Sequence, residues 1–193
     1  MPRRKLLDKN TVVNAAADLI NRDGLDALTL NRLAGILGIR TPSLYNHIDG
    51  MAGLMHELAL LNIRRLAERL GTVAMGRSGS AGLVAVAEAY RAYIKENPGL
   101  YLSSLRASGN QGSPDTELQA GEESVVRIVL AMLDSLGLSD ADAIHAARAL
   151  RSAVHGFTTL EIAGGFGIRL DLDESFARLI GMLVAGLQPS EER

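Results

Sequence analysis

From residue 9 to residue 187 the apolar side chains recur mostly at intervals of three and four, which places them along one side of an α-helix. Three stretches interrupt that rhythm, residues 71–80, 107–114 and 164–170, each rich in glycine and the first two also in serine. They read as loops between helices. Composition agrees: 31 Leu and 26 Ala stand against 10 Val, 11 Ile and 7 Thr, a balance that favours helix over sheet. The spacing predicts an all-α chain of about nine helices, near 9–22, 30–37, 41–47, 50–70, 80–96, 98–106, 115–136, 140–164 and 172–187.

With 193 residues, 47% of them apolar, the chain can build a sizeable core and is not of a disordered type. It has no cysteine, so disulfides, thiolate metal sites and cysteine nucleophiles are excluded together. No uncharged apolar run approaches the roughly 18 residues of a membrane span. Asp8, Lys9 and Asn10 break any signal-peptide core behind the basic start. A soluble, cytoplasmic protein with no membrane partner is expected. Net charge is −2, but it is unevenly placed: residues 1–50 carry seven Lys or Arg and five Asp, whereas the rest is net acidic. That asymmetry is too small to decide a partner.

The stretch from Thr29 to His47 is the most informative. Thr29 can cap a short helix in which Leu30, Leu33, Ala34 and Leu37 repeat at helical spacing, and Gly38 can end it. Thr41-Pro42 is a strong start for the next helix, since proline at the first position loses no intrahelical bond. Small Ala34 where two helices cross, glycine in the turn, and apolar Ile39 and Leu44 make the pattern of a helix-turn-helix. Such a unit places the first turn of its second helix in the major groove. Here that turn is Thr41-Pro42-Ser43, small enough to approach base edges, followed by Tyr45, Asn46 and His47, of which Tyr45 and His47 can bond phosphate. A generic pair of packed helices with Thr41 and Ser43 as plain capping residues fits the same spacing.

The run Ala15-Ala16-Ala17-Asp18-Leu19, Gly24 to Thr29, Leu33-Ala34, Leu37-Gly38-Ile39 and especially Pro42-Ser43-Leu44-Tyr45-Asn46-His47-Ile48, with Leu54, resembles the DNA-binding domain of TetR-family transcriptional repressors. That resemblance covers residues 10–58. It implies base-edge contacts from Thr41, Pro42 and Ser43, phosphate contacts from Tyr45 and His47, and an anchoring role for Thr29; Arg32 and Asn46 are further candidate DNA-binding residues. Two positions depart from the pattern: Met51 stands where the family usually has lysine, and Asn31 where a more basic residue often occurs. Arg3, Arg4 and Lys5 are either a DNA-binding arm or a solvated tail.

In the last third, the run from Ala153 through Val154-His155-Gly156-Phe157 to Gly164, then Asp173 to Leu179, resembles a TetR subgroup marked by a Trp-His-Gly signature, with Val154 in place of Trp. The resemblance implies a dimer formed by the last two helices and an effector pocket among those before them. Ile180, Met182, Leu183, Val184, Ala185 and Leu187 lie within eight positions, more apolar surface than a surface helix of a small monomer needs. Tyr90, Tyr93, Tyr101, Leu105, Arg151 and His155 are candidates to touch an effector, with Leu102, Arg106 and Phe157 beside them, since a pocket joins apolar walls to a few orienting polar groups.

Catalysis and metal binding find no support. His145 and His155 lack carboxylates at ligand spacing, Glu122 and Glu123 are adjacent and diverge on a helix, and the glycines at 164–167 do not follow a strand. The expected organisation is a helix-turn-helix domain in residues 1–50, a connecting helix in 51–70, and an effector-binding and dimerisation domain in 71–193. The expected function is a homodimeric, effector-responsive repressor binding a palindromic operator in double-stranded DNA, with no cofactor. A helical small-molecule binding protein with negligible DNA affinity is the alternative.

Overall fold

The computed structural model describes residues 7–107 and 115–187. Among them are nine α-helices, one turn of 3-10 helix and no strand. The helices are α1 (Lys9–Asp23), α2 (Leu30–Leu37), α3 (Thr41–Leu44), α4 (Gly50–Ala74), α5 (Gly79–Glu96), α6 (Pro98–Ala107), α7 (Thr116–Asp134), α8 (Asp140–Ile162) and α9 (Leu172–Gly186). The 3-10 turn, Leu25–Ala27, lies between α1 and α2.

Two expected boundaries move. α3 closes at Leu44 rather than His47, because the amides of Asn46 and His47 donate to the carbonyls of Ser43 and Leu44 in i→i+3 turns. α4 continues to Ala74, so residues 71–74, expected to be loop, are helical. The glycine at 71 does not stop the helix; Gly76, with φ +70°, lies just beyond its end. The Arg3-Arg4-Lys5 segment and most of the 107–114 loop lie outside the described residues.

By packing, the chain forms two compact units. The first takes residues 7–64 together with 97–107 and 115–118; the second takes 65–96 with 119–187. The core of the first is the apolar face expected for α1, Val12, Val13, Ala16, Leu19 and Ile20, closed by Leu33, Leu44, Ile48, Leu54 and Leu58. Leu100 of α6 completes it, although it lies more than forty residues later in the chain. α6 seats on the end of α1 with almost no clearance. Asn21 Oδ1 accepts the Leu100 amide at 2.8 Å, and a Cβ on Gly99 would stand 2.0 Å from the Ile20 carbonyl oxygen. Only glycine permits that approach.

In the second unit α5, α8 and α9 pack on one another around Leu83, Val86, Ile94, Leu150, Val154, Phe176 and Ile180. Arg91 of α5 is buried at their junction. It donates two parallel bonds of 2.8 Å to Glu161 of α8, pairs with Asp173 of α9 at 2.8 Å, and lies against the rings of Phe157 and Phe176. Glu161 also accepts from Lys95 at 2.6 Å. Burial by itself pushes the Glu161 carboxyl up, but the bonds and charges of Arg91 and Lys95 outweigh it and hold the group below its ordinary range. The bond to Glu161 raises Arg91 in turn.

Candidate nucleic-acid interface

The helix-turn-helix is built by local rules. Thr29 Oγ1 accepts the Arg32 amide at 3.2 Å and so caps α2. At the other end Gly38 takes φ +67°, its left-handed geometry letting the Ile39 amide return to the Ala34 carbonyl at 3.0 Å. Arg40 caps α3 through its backbone, and Pro42 sits in the first turn, where no amide is needed.

The short α3 divides its side chains cleanly. Leu44 is fully buried and Ile48 nearly so, both in the first unit's core. Pro42, Asn46 and Tyr45 face solvent, Tyr45 with 58% of its surface exposed, while Thr41, Ser43 and His47 are half-buried at the edge. The structure therefore brings Thr41, Pro42, Ser43, Tyr45, Asn46 and His47 together on one short segment. Tyr45, Asn46 and His47 also line a polar cleft of about 240 Å³ with Lys9, Asp49, His56 and Glu57. Lys9 and Glu57 in that lining are ion-paired.

Two basic groups are not free charges. Arg32 pairs with Asp23, which also accepts from Arg22 at 2.9 Å; the Arg22 bond is the main reason the Asp23 carboxyl lies below its usual range. Arg40 is exposed beside α3. Met51, where the family pattern has lysine, packs partly against the first unit's core instead of presenting a charge.

The expected effector residues divide between the units. Tyr90, Tyr93, Arg151 and His155 belong to the second, whereas Tyr101 and Leu105 of α6 belong to the first. Tyr90, Tyr93 and Tyr101 are buried, Leu105 and His155 half-buried, and Arg151 exposed. Burial raises the Tyr93 hydroxyl strongly, against an opposing effect of Arg65. His155 is held below its ordinary value by burial and then by the charge of Arg151, so its ring is neutral at pH 7. A cleft of about 270 Å³ in the first unit, between the ends of α1 and the start of α6, is lined by Leu102 but by none of these six.

Four contributors carry little or no local sequence signal. Asn31 accepts the Thr41 hydroxyl across the turn at 2.7 Å, and Asn21 caps α6 from 79 positions away. Gly99 could be suspected only from its place after Asn97-Pro98. Arg91 had one usable signal, a charge among the apolar positions of α5 that called for a buried partner.

A family model described as the tetracyclin repressor-like C-terminal domain matches residues 83–183, half of the chain. An uncharacterized HTH-type transcriptional regulator of Mycobacterium tuberculosis is 34% identical over 94% of this chain and 82% of its own. The chain belongs to the TetR family of transcriptional regulators. A second uncharacterized HTH-type regulator, YobS of Bacillus subtilis, is 32% identical over 94% of this chain and 93% of its own. Among solved structures, a TetR variant from Acinetobacter baumannii in complex with minocycline superposes with a TM-score of 0.67 at 27% identity, over 93% of this chain and 96% of that one. The all-helical architecture of this TetR-family chain, with an N-terminal helix-turn-helix and a C-terminal helical region, is that of the family. No helix among the described residues is long and apolar enough to cross a membrane.

Proposed function

We propose that this TetR-family regulator is a homodimeric repressor that reads a palindromic operator in double-stranded DNA and releases it on binding a small organic effector. The observation that carries the reading is the division of the α3 segment: Leu44 anchors it in the core, while Thr41, Pro42, Ser43, Tyr45, Asn46 and His47 are left outside. Thr41, Pro42 and Ser43 read base edges, and Tyr45 and His47 hold phosphates. Thr29 and Arg32 dock the start of α2 on the backbone.

Dimerisation through α8 and α9 is supported by apolar groups these helices leave in solvent, among them Leu160, Ile162 and Met182, the last 68% exposed. Two-fold symmetry then imposes palindromy on the operator. That the A. baumannii relative is known with minocycline supports a small organic effector; Tyr90, Tyr93, Arg151 and His155 are its candidate contacts in the second unit. Residues 1–50 read DNA, 51–70 connect, and 71–193 bind effector and dimerise. An effector weakens DNA binding by the difference in its affinity for the two conformations, about 1–3 kcal/mol in typical cases.

DNase footprinting of the DNA flanking the gene, alongside sedimentation of the free protein, tests the reading. A protected inverted repeat and a dimer are expected. A monomer, or protection without two-fold symmetry, refutes it.

A further inference from the structure

The last turn of α1 and the first turn of α2 meet at one carboxylate. Asp23 accepts two bonds from Arg22, Nε to Oδ1 at 2.9 Å and Nη2 to Oδ2 at 3.1 Å. The Arg32 guanidinium donates to the same Oδ2. The three side chains carry two positive charges and one negative, since a guanidinium stays protonated and Asp23 is held below the usual carboxylate range, chiefly by its bond to Arg22. Asp18, one turn back on α1, exerts only the weakest of the influences on Arg22. Each arginine is ion-paired, yet one positive charge is left over.

Both guanidiniums stand in solvent, with 65% of the Arg22 side chain and 47% of the Arg32 side chain exposed. A guanidinium has five N–H donors, of which these bonds use two on Arg22 and one on Arg32. Sharing Oδ2 sets the two forks side by side, near enough for one tetrahedral anion to bond both, and such planar forks suit phosphate oxygens. Resting on the DNA-reading role proposed above, we infer that Arg22 and Arg32, gathered on Asp23, form a seat for one phosphate of the DNA backbone. Arg22 is the contact that makes it: Arg32 alone would be neutralised by Asp23 and draw no anion. Asn31 and Met51 are neutral where the family pattern is basic, and Arg22 returns one charge from α1. Because the surplus is a single charge, the seat holds one phosphate, and removing either arginine empties it.

The test uses the full chain and the duplex it selects from a random double-stranded library. Affinity is measured by fluorescence anisotropy across about 50–200 mM salt, and the slope of log affinity against log salt counts the phosphates held. Arg22→Met is expected to flatten that slope by about 0.9 and to weaken binding about tenfold, alike on the selected duplex and on a scrambled one. Arg32→Met should do the same. The double variant should flatten the slope no further, since the single phosphate is already lost. Arg69→Met removes an exposed, ion-paired arginine from the second unit and should leave the slope unchanged. Thermal melts should stay close to wild type because the altered side chains are in solvent. Arg22→Gln repeats the measurement should methionine disturb α1.

A wild-type slope in folded Arg22→Met and Arg22→Gln overturns the seat, leaving the cluster only a tie between α1 and α2, while DNA reading stands. A slope flattened twice as far in the double variant as in either single one shows two separate phosphates and also overturns it. If the folded wild-type chain enriches no sequence at all, the DNA-reading role itself is overturned and the seat with it.

Discussion

Replacing Gly99 by alanine should destabilise the protein even though alanine is the better helix former. In an unobstructed helix interior the change gains up to about 1 kcal/mol. At Gly99 the added Cβ would stand 2.0 Å from the Ile20 carbonyl oxygen, 2.3 Å from its carbon and 2.8 Å from the Asn21 nitrogen. All three are backbone atoms in α1, which cannot swing aside as a side-chain tip can. Relief requires α6 to back away by about 1 Å. That movement stretches the Asn21–Leu100 bond and draws Leu100, which is fully buried, out of the core. Overpacking of this kind costs about 1–3 kcal/mol, and a lost hydrogen bond about 1 more. The net expectation is a loss of about 1–3 kcal/mol, read as a fall in Tm of roughly 2–12 °C for a chain of this size. Gly35→Ala in α2 is the control, since its Cβ would meet nothing within 4 Å; a rise of about 1–3 °C is expected there. Circular-dichroism melts of the two variants beside wild type decide the matter. A Gly99→Ala melt at or above the wild-type temperature would refute the close seating of α6 on α1.

Tyr45→Ala should weaken operator binding about five- to tenfold per lost phosphate bond while leaving the melt unchanged, because the side chain is mostly in solvent; unfolding of this variant in a melt would show that Tyr45 is structural. Arg91→Met should cost about 3 kcal/mol in denaturant titration, since it leaves the largely covered Glu161 carboxylate with Lys95 alone, and adding Glu161→Leu should recover most of the loss. A double variant as unstable as the single one would contradict that account. Glu161 titrates below its ordinary range in the folded chain, so the stability it confers is present above the unfolded carboxylate value and disappears as pH falls through the lower, folded one. Wild type should therefore lose stability more steeply than Glu161→Gln below about pH 4.5, and parallel pH–Tm curves for the two would exclude this role. His155 is also held low, so stability rises as pH climbs from its lowered folded value to its ordinary unfolded one; His155→Gln should flatten the dependence of Tm on pH just below about pH 6.5.

Helix type, order and most boundaries were legible in the amino-acid sequence because they rest on interactions within four residues. The buried face of α1, the Thr29 cap, the left-handed Gly38 and the early Pro42 are all of that range, and so is the exposure of Tyr45 once Leu44 is known to be inside. The family pattern in residues 10–58 is written in the same local code. What the sequence could not determine was which distant surfaces meet. α6 packs with the N-terminal unit although the chain reaches it only after α5, because the absence of a side chain at Gly99 and the reach of Asn21 let two backbones touch, and neither leaves a periodic trace. The Arg91–Glu161–Asp173 cluster joins three helices through charges 70 and 82 positions apart, and Asn31 finds Thr41 only because the turn folds back. Periodicity records which face of a helix is apolar; the identity of the face it meets is set by shape and polar pairing in three dimensions, and that was decided only when the chain was folded.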